Sequence, residues 1–196
     1  MIRSRIITIS ALLVGFVGMN STWAISVGDP VDNFRLLDHT GASHELYYHS
    51  NAKAVAFLVQ GNGCPIVRNA MPRFKELRDQ YAAQGVEFFM LNTNLQDTRA
   101  NILKEVEKFD YDIPILKDDT QIIGESLNLV RTGEVFVVDP TTWTVSYQGA
   151  IDDRLTYENQ KKEAKHQRVG WVGGGGGGGG AGSLIFFYWN PPFFVT

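Results

Sequence analysis

Residues 54–81 read AVAFLVQGNGCPIVRNAMPRFKELRDQY. Ala54 to Val59 form an unbroken apolar run of strand length, which suits a strand buried on both faces of a sheet. Gly61 and Gly63 then break the run. Pro65 is tolerated in a helix's first turn, where its missing N–H is not needed, so a helix starts after Cys64. Val67, Met71, Phe74, Leu77 and Tyr81 recur at helical spacing, with Arg68, Arg73, Lys75, Glu76 and Asp79 largely off that stripe. Pro72 lies inside this helix and predicts a kink. Gln84-Gly85 ends the segment. Between the strand and the helix stands Cys64, the only cysteine in the sequence.

Working outward, a hairpin precedes this unit: Phe34–Leu37 and Glu45–Tyr48 read as short strands joined through the turn residues Asp38 to Gly41. After the unit, Val86–Leu91 reads as a second buried strand and Thr98–Phe109 as a helix with Ile102, Val106 and Phe109 on one face. Ile113–Leu116 is a short extended piece and Ile122–Leu129 a short helix. Val135–Val138 and Thr144–Tyr147 are strands joined by the turn Asp139-Pro140-Thr141-Thr142. Strands that first alternate with helices and then end in a hairpin predict an α/β domain with a mixed sheet covered by helices. A charged stretch from Asp152 to His166 predicts a last helix. Its apolar face is thin, as if the helix were cut short.

The 196 residues are enough for one domain with a proper core, and 44% of them are hydrophobic, which excludes a disordered chain. The formal net charge is −3, and no cluster of Lys and Arg tracks phosphates, so nucleic acid is not an expected partner. Residues 1–24 carry Arg3 and Arg5, an apolar stretch from Ile6 to Val17, and a Thr22-Trp23-Ala24 cleavage-like end. That is the layout of a secretory signal peptide, and the expected location is periplasmic or extracellular after cleavage. An uncleaved anchor is the alternative, but the stretch is short for a stable membrane span. Residues 168–196 hold eight consecutive glycines, Gly173 to Gly180, followed by LIFFYW and NPPFFVT. This tail reads either as a membrane- or partner-touching segment or as something other than the natural end of the domain, such as the product of a reading-frame slip in the glycine run.

An exported chain with one cysteine has no internal disulfide to build, so Cys64 is a free thiol, an intermolecular partner or inert filler. A cysteine at the start of a helix meets unpartnered backbone N–H groups and the positive end of the helix dipole, and both favour the nucleophilic thiolate. Arg68, one turn on, adds positive charge if its side chain folds back. The bland alternative is a small buried hydrophobe. The histidines, His39, His44, His49 and His166, lack the spacing of a metal site, and no GK[ST] follows the glycines of the turn, so neither metal nor cofactor is expected.

Three segments together, AVAFLVQGNGCPIVRNAMPRFKELRDQY, GVEFFMLNTN and RTGEVFVVDP, resemble the thioredoxin-fold redoxins related to the AhpC/TSA peroxiredoxins. The GDPVDNFRLLDHTG opening matches that group's N-terminal β-segment. The likeness implies a thioredoxin-like fold over residues 25–167, a central mixed sheet flanked by helices with an N-terminal β-hairpin. It also implies thiol redox chemistry with Cys64 as the reactive cysteine. The CxxC of thioredoxins is here CPIV, with Val67 in the second cysteine's place. Peroxiredoxins carry a proline seven residues and a Thr or Ser three residues before their cysteine; here those positions are Phe57 and Gly61. The cis-proline beside the active cysteine is replaced by Gly133, after Thr132. The resemblance makes Cys64 and Arg131 the catalytic candidates, with Asn62, Gly63, Pro65, Thr132 and Gly133 lining the site. Arg131 is either a cation for the sulfur or a solvated surface residue. The chemistry implied is attack on a peroxide or a protein disulfide, resolved by an external thiol or thioredoxin-like reductant. The rival reading is a redoxin-fold module that has lost catalysis and serves in binding or assembly.

Overall fold

The computed structural model describes residues 25–154. The expected leader (1–24), the tail (168–196) and the expected 152–166 helix from residue 155 onward lie outside the described residues, and Asp152 to Arg154, where the sequence predicts its start, form a bridge and a turn instead. Seven strands form one sheet: β1 (Arg35–Asp38), β2 (Ser43–Glu45), β3 (Ala54–Gln60), β4 (Val86–Asn92), β5 (Ile115–Lys117), β6 (Glu134–Asp139) and β7 (Thr144–Ala150). Their order is β2-β1-β5-β4-β3-β6-β7. The central strands β3, β4 and β5 run parallel. Antiparallel β6 and β7 close one side, and β1 with β2 closes the other. This is a thioredoxin-like mixed sheet flanked by helices, as expected.

The parallel pairs require crossover helices, and the sequence supplies them: α1 (Pro65–Tyr81) joins β3 to β4, and α2 (Arg99–Phe109) joins β4 to β5. Right-handed crossovers that step the same way across a sheet put both helices on one face. Strand alternation decides which residues meet them. Ala54, Ala56 and Leu58 of β3 face a core that includes Met71, Phe74 and Leu77 of α1, Ile102 of α2, and Tyr111. Val55 and Phe57 face the opposite core with Val31, Phe34, Leu46, Phe136 and Leu127. Every residue of β3 is buried. The helical stripe Val67, Met71, Phe74, Leu77 and Tyr81 is buried as its spacing requires. Burying Phe74 or Leu77 stabilises the fold by about 1.5–3 kcal/mol each. Pro72 sits inside α1 without ending it.

Three elements differ from the sequence expectation. The second hairpin strand is Ser43–Glu45, and Leu46–His49 form a 3-10 turn. Leu46 is drawn into the core at 2% exposure and its N–H donates to Phe34 O, while Tyr48 is left exposed; a strand through 48 would have put both side chains on one face. The third helix, α3 (Ile122–Ser126), ends before the expected Leu129 because Asn128 takes a left-handed φ of 45°. Its start is fixed by buried Asp118, whose carboxylate accepts from Gly124 N (2.9 Å) and Thr120 Oγ1 (3.1 Å). β7 runs on to Ala150, beyond the expected Tyr147.

Candidate active site

The parallel strands end at one edge of the sheet, and the turn after β3 carries Cys64 out from that edge. Cys64 is the N-cap of α1, with Pro65 in the first helical turn. Its backbone is extended and it is half-buried against the α1–α2 core. Its Sγ lies 3.1 Å from Thr132 Oγ1, a contact bridging residues far apart in sequence. Gly133, the next residue, has φ of +85° and donates its N–H to Val59 O at 2.7 Å, tying the start of β6 to the end of β3. A Cβ at Gly133 would meet Ile66 Cγ2 at 2.4 Å, so the glycine lets this loop close onto the start of α1. The described residues contain no cis peptide bond, and at this position the N–H is in use, which no proline supplies.

The turn below the sulfur is held by a polar cluster of which the sequence singled out only Asn62. Asn62 N donates to Asp97 Oδ2 at 2.9 Å, and Asn62 Oδ1 accepts from Gln60 Nε2 at 2.9 Å. Asn92 Nδ2 donates to both Gln60 Oε1 (2.6 Å) and Asp97 Oδ2 (2.9 Å), and Asn94 Nδ2 reaches the same carboxylate at 3.0 Å. Burial alone would raise the Asp97 carboxyl. The Asn62 amide, the Asn92 and Asn94 side chains and the Lys117 charge outweigh burial and hold it below the usual carboxylate range. Gly63 N donates to Glu105 Oε1 at 3.0 Å.

Arg68 does fold back: its Nη2 donates to Gly63 O at 3.3 Å and its guanidinium lies 5.2 Å from the centre of the Phe109 ring. Arg131 is exposed, and its charge opposes the rise that burial imposes on Glu134. Thus Cys64, Thr132, Gly133, Asn62 and Gly63 come together, with Pro65 exposed at the helix start. The cation held at the first turn of α1 is Arg68. Asp97 and Glu105 escaped sequence reasoning. For Asp97 the available signal was the polar run Asn92 to Thr98, directly after a buried strand at the edge where ligands of open α/β sheets bind.

Among the described residues no three His, Cys, Asp or Glu side chains gather to hold a metal ion. His44 pairs with Asp38 at 2.9 Å, and His39 and His49 are pushed down by burial. No helix of the described residues is long and apolar enough to cross a membrane.

No curated protein matches this sequence. Among solved structures, the chain is similar to a hypothetical protein from Sinorhizobium meliloti 1021, at 24% identity and a TM-score of 0.61, covering 70% of this chain and 77% of that one. It is also similar to peroxidoxin BcpB from Mycobacterium tuberculosis, at 20% identity and a TM-score of 0.55, covering 64% of this chain and 86% of that one. A third neighbour is the thioredoxin domain of a thiol-disulfide oxidoreductase from Bacteroides vulgatus, at 16% identity and a TM-score of 0.56, covering 63% and 88%. At these identities the neighbours establish the fold. The sequence itself matches the AhpC/TSA family over residues 27–154, most of its length and all but two of the described residues, and the chain belongs to the AhpC/TSA family.

Proposed function

We propose that the protein is a thiol oxidoreductase that works with one reactive cysteine, Cys64, resolved by a thiol from outside the chain. The observation that carries this reading is the Thr132 hydroxyl 3.1 Å from Cys64 Sγ, at the N-terminus of a 17-residue helix. A hydroxyl donor and the unpartnered N–H groups of the first turn both stabilise negative charge on sulfur. The thiolate attacks one oxygen of a hydroperoxide; the S–O bond forms as the O–O bond breaks, and the departing alkoxide or hydroxide takes up a proton. Sulfur is oxidised by two electrons to the sulfenic acid. An external thiol then displaces water to give a mixed disulfide, and a second thiol releases reduced Cys64 and the external disulfide. Attack on a protein disulfide is the other route open to the same thiolate. Export to a periplasmic or extracellular space completes the reading, on the strength of the charged, apolar and small-residue layout of residues 1–24.

The test is to mix reduced protein with one equivalent of hydrogen peroxide, trap with a sulfenate-specific dione and read the adduct by mass spectrometry. Cys64 is expected to carry one adduct, absent from Cys64→Ser and lost when dithiothreitol precedes the trap. A folded protein that forms neither this adduct nor a mixed disulfide with a disulfide probe would be a binding module instead.

A further inference from the structure

Arg68 lies four residues after Cys64, and its backbone N–H donates to Cys64 O at 3.2 Å. Residues four apart share one face of a helix, and helical side chains lean toward the N-terminus, so the guanidinium is carried back toward the turn of the sulfur. There it is held twice. Its Nη2 donates to Gly63 O at 3.3 Å, the carbonyl of the peptide link that enters Cys64. Its guanidinium carbon stands 5.2 Å from the centre of the Phe109 ring. An arginine fastened at both points is set in place for a ligand rather than left to sweep through solvent. Its charge has no acid to answer it. The later cations of α1 each meet one: Arg73 meets Glu76 at 3.0 Å, Lys75 meets Asp112 at 3.1 Å, and Arg78 meets Asp79 and Asp112, both at 2.6 Å. Among the described residues no carboxylate forms an ion pair with Arg68. A second cation joins it instead. Lys108, in the last turn of α2, puts its ammonium 5.2 Å from the centre of the same Phe109 ring. It too has no ion-pair partner among the described residues. Glu105, the carboxylate that reaches this turn, is engaged by the Gly63 amide at 3.0 Å. Two exposed like charges about one ring repel each other, and an anion bound beside them relieves that repulsion.

We propose that Arg68, seconded by Lys108, selects the external thiol that resolves Cys64, and that this thiol is a small molecule carrying a carboxylate a few bonds from its sulfur. This deepens the one-cysteine reading above and rests on it. The span fits: side chains at i and i+4 stand about 5–6 Å apart at Cβ, the reach of a carboxylate two or three carbons from a sulfur. With the carboxylate on the guanidinium, the thiolate attacks Cys64 Sγ of the sulfenic acid. The S–S bond forms as the S–O bond breaks, and hydroxide leaves and takes up a proton to become water. A second molecule of the thiol attacks the external sulfur of the mixed disulfide, and Cys64 leaves as thiolate. The two thiols together lose the two electrons that the Cys64 sulfur regains. Arg68 stays charged throughout and bonds the acid of the thiol, not the reacting atoms, so its role is specificity.

The test oxidises reduced protein with one equivalent of hydrogen peroxide, removes the excess with catalase and adds mercaptopropionate, mercaptoethanol or cysteamine, an acidic, a neutral and a basic thiol. Mixed-disulfide formation is read by mass spectrometry against time in wild type and Arg68→Gln. Each thiol is compared with itself between proteins, so its own reactivity cancels. The rate of mercaptopropionate relative to mercaptoethanol should fall about fivefold in Arg68→Gln, the worth of one exposed charge pair, while cysteamine gains on both. Arg68→Lys should keep most of the preference, and Lys108→Gln should shift it the same way by less. Roughly 1 M salt should shrink the wild-type preference, because screening then acts within about 3 Å. An equal change for all three thiols in Arg68→Gln would overturn the inference by showing a general effect on the sulfur, and so would no change for any. In both cases Cys64 is still resolved and the one-cysteine reading stands. A sulfenate that none of the three reduces would overturn the choice of a small thiol. A wild type that forms no sulfenate would sink the one-cysteine peroxide reading, and this inference with it.

Discussion

At the scale of single residues, Thr132 stands where a side chain at position 61 would have to be. A Cβ on Gly61 would lie 2.9 Å from Thr132 Cγ2 and 2.7 Å from Asn94 Nδ2. The hydroxyl that peroxiredoxin-like sequences place three residues before their cysteine is missing from this chain at that position, and the space is filled from the loop before β6. Sequence spacing shows only the glycine; the compensation is a tertiary contact between residues 64 and 132. If Thr132 supports the thiolate, Thr132→Val should slow reaction of Cys64 with hydrogen peroxide by about tenfold, the worth of a hydrogen bond to a charged group. Thr132→Ser should keep most of the rate. Stopped-flow oxidation of the three proteins checks this, and a valine variant as fast as wild type removes Thr132 from the site.

At the scale of elements, the turn between β3 and α1 is fastened by a carboxylate from the segment between β4 and α2. Asp97 is 7% exposed and takes three donors on one oxygen, including the Asn62 amide of the turn. Asp97→Ala leaves those donors without their acceptor. We expect it to lower stability by about 2–4 kcal/mol in urea unfolding, and to slow peroxide oxidation of Cys64 as the turn loosens. An unchanged midpoint would show that the turn stands on its other bonds. The strand and helix that flank this turn were legible because burial imposes a pattern: a continuous apolar run for β3 and a 3.6-residue stripe for α1. Asp97 imposes none, since a buried carboxylate and a solvated one look alike in a polar stretch. The hairpin register failed to show for a related reason. ELYY fits a short strand, and only the Phe34 carbonyl and the core pocket for Leu46 turn it into a 3-10 segment.

At the scale of the whole molecule, the sheet's class followed from alternating strands and helices. Its closure did not, because it rests on distant pairings such as Gly28 N to Val145 O and the Pro30–Thr144 bridge. The β1–β2 end of the sheet is pinned by Asp38, and this gives the fold an acid limit. Burial would raise the Asp38 carboxyl, but hydrogen bonds from Thr40, His44 and the Ala42 amide outweigh it and hold it at about 2, against an ordinary 3.8. The unfolded chain therefore takes up this proton near pH 4, whereas the native chain resists until about pH 2. Stability from this group is complete above pH 4, falls as the pH falls through that interval, and is gone below about 2. Its size is about 2 kcal/mol. Asp97 and Asp112 are held low as well and act in the same direction. Asp38→Asn should therefore cost about 2 kcal/mol at pH 7 and flatten the dependence of stability on pH between 4 and 2, read from urea midpoints at each pH. A variant that keeps the wild-type slope would place the acid sensitivity on the other carboxylates, and with it the weakest point of the sheet away from the β1–β2 end.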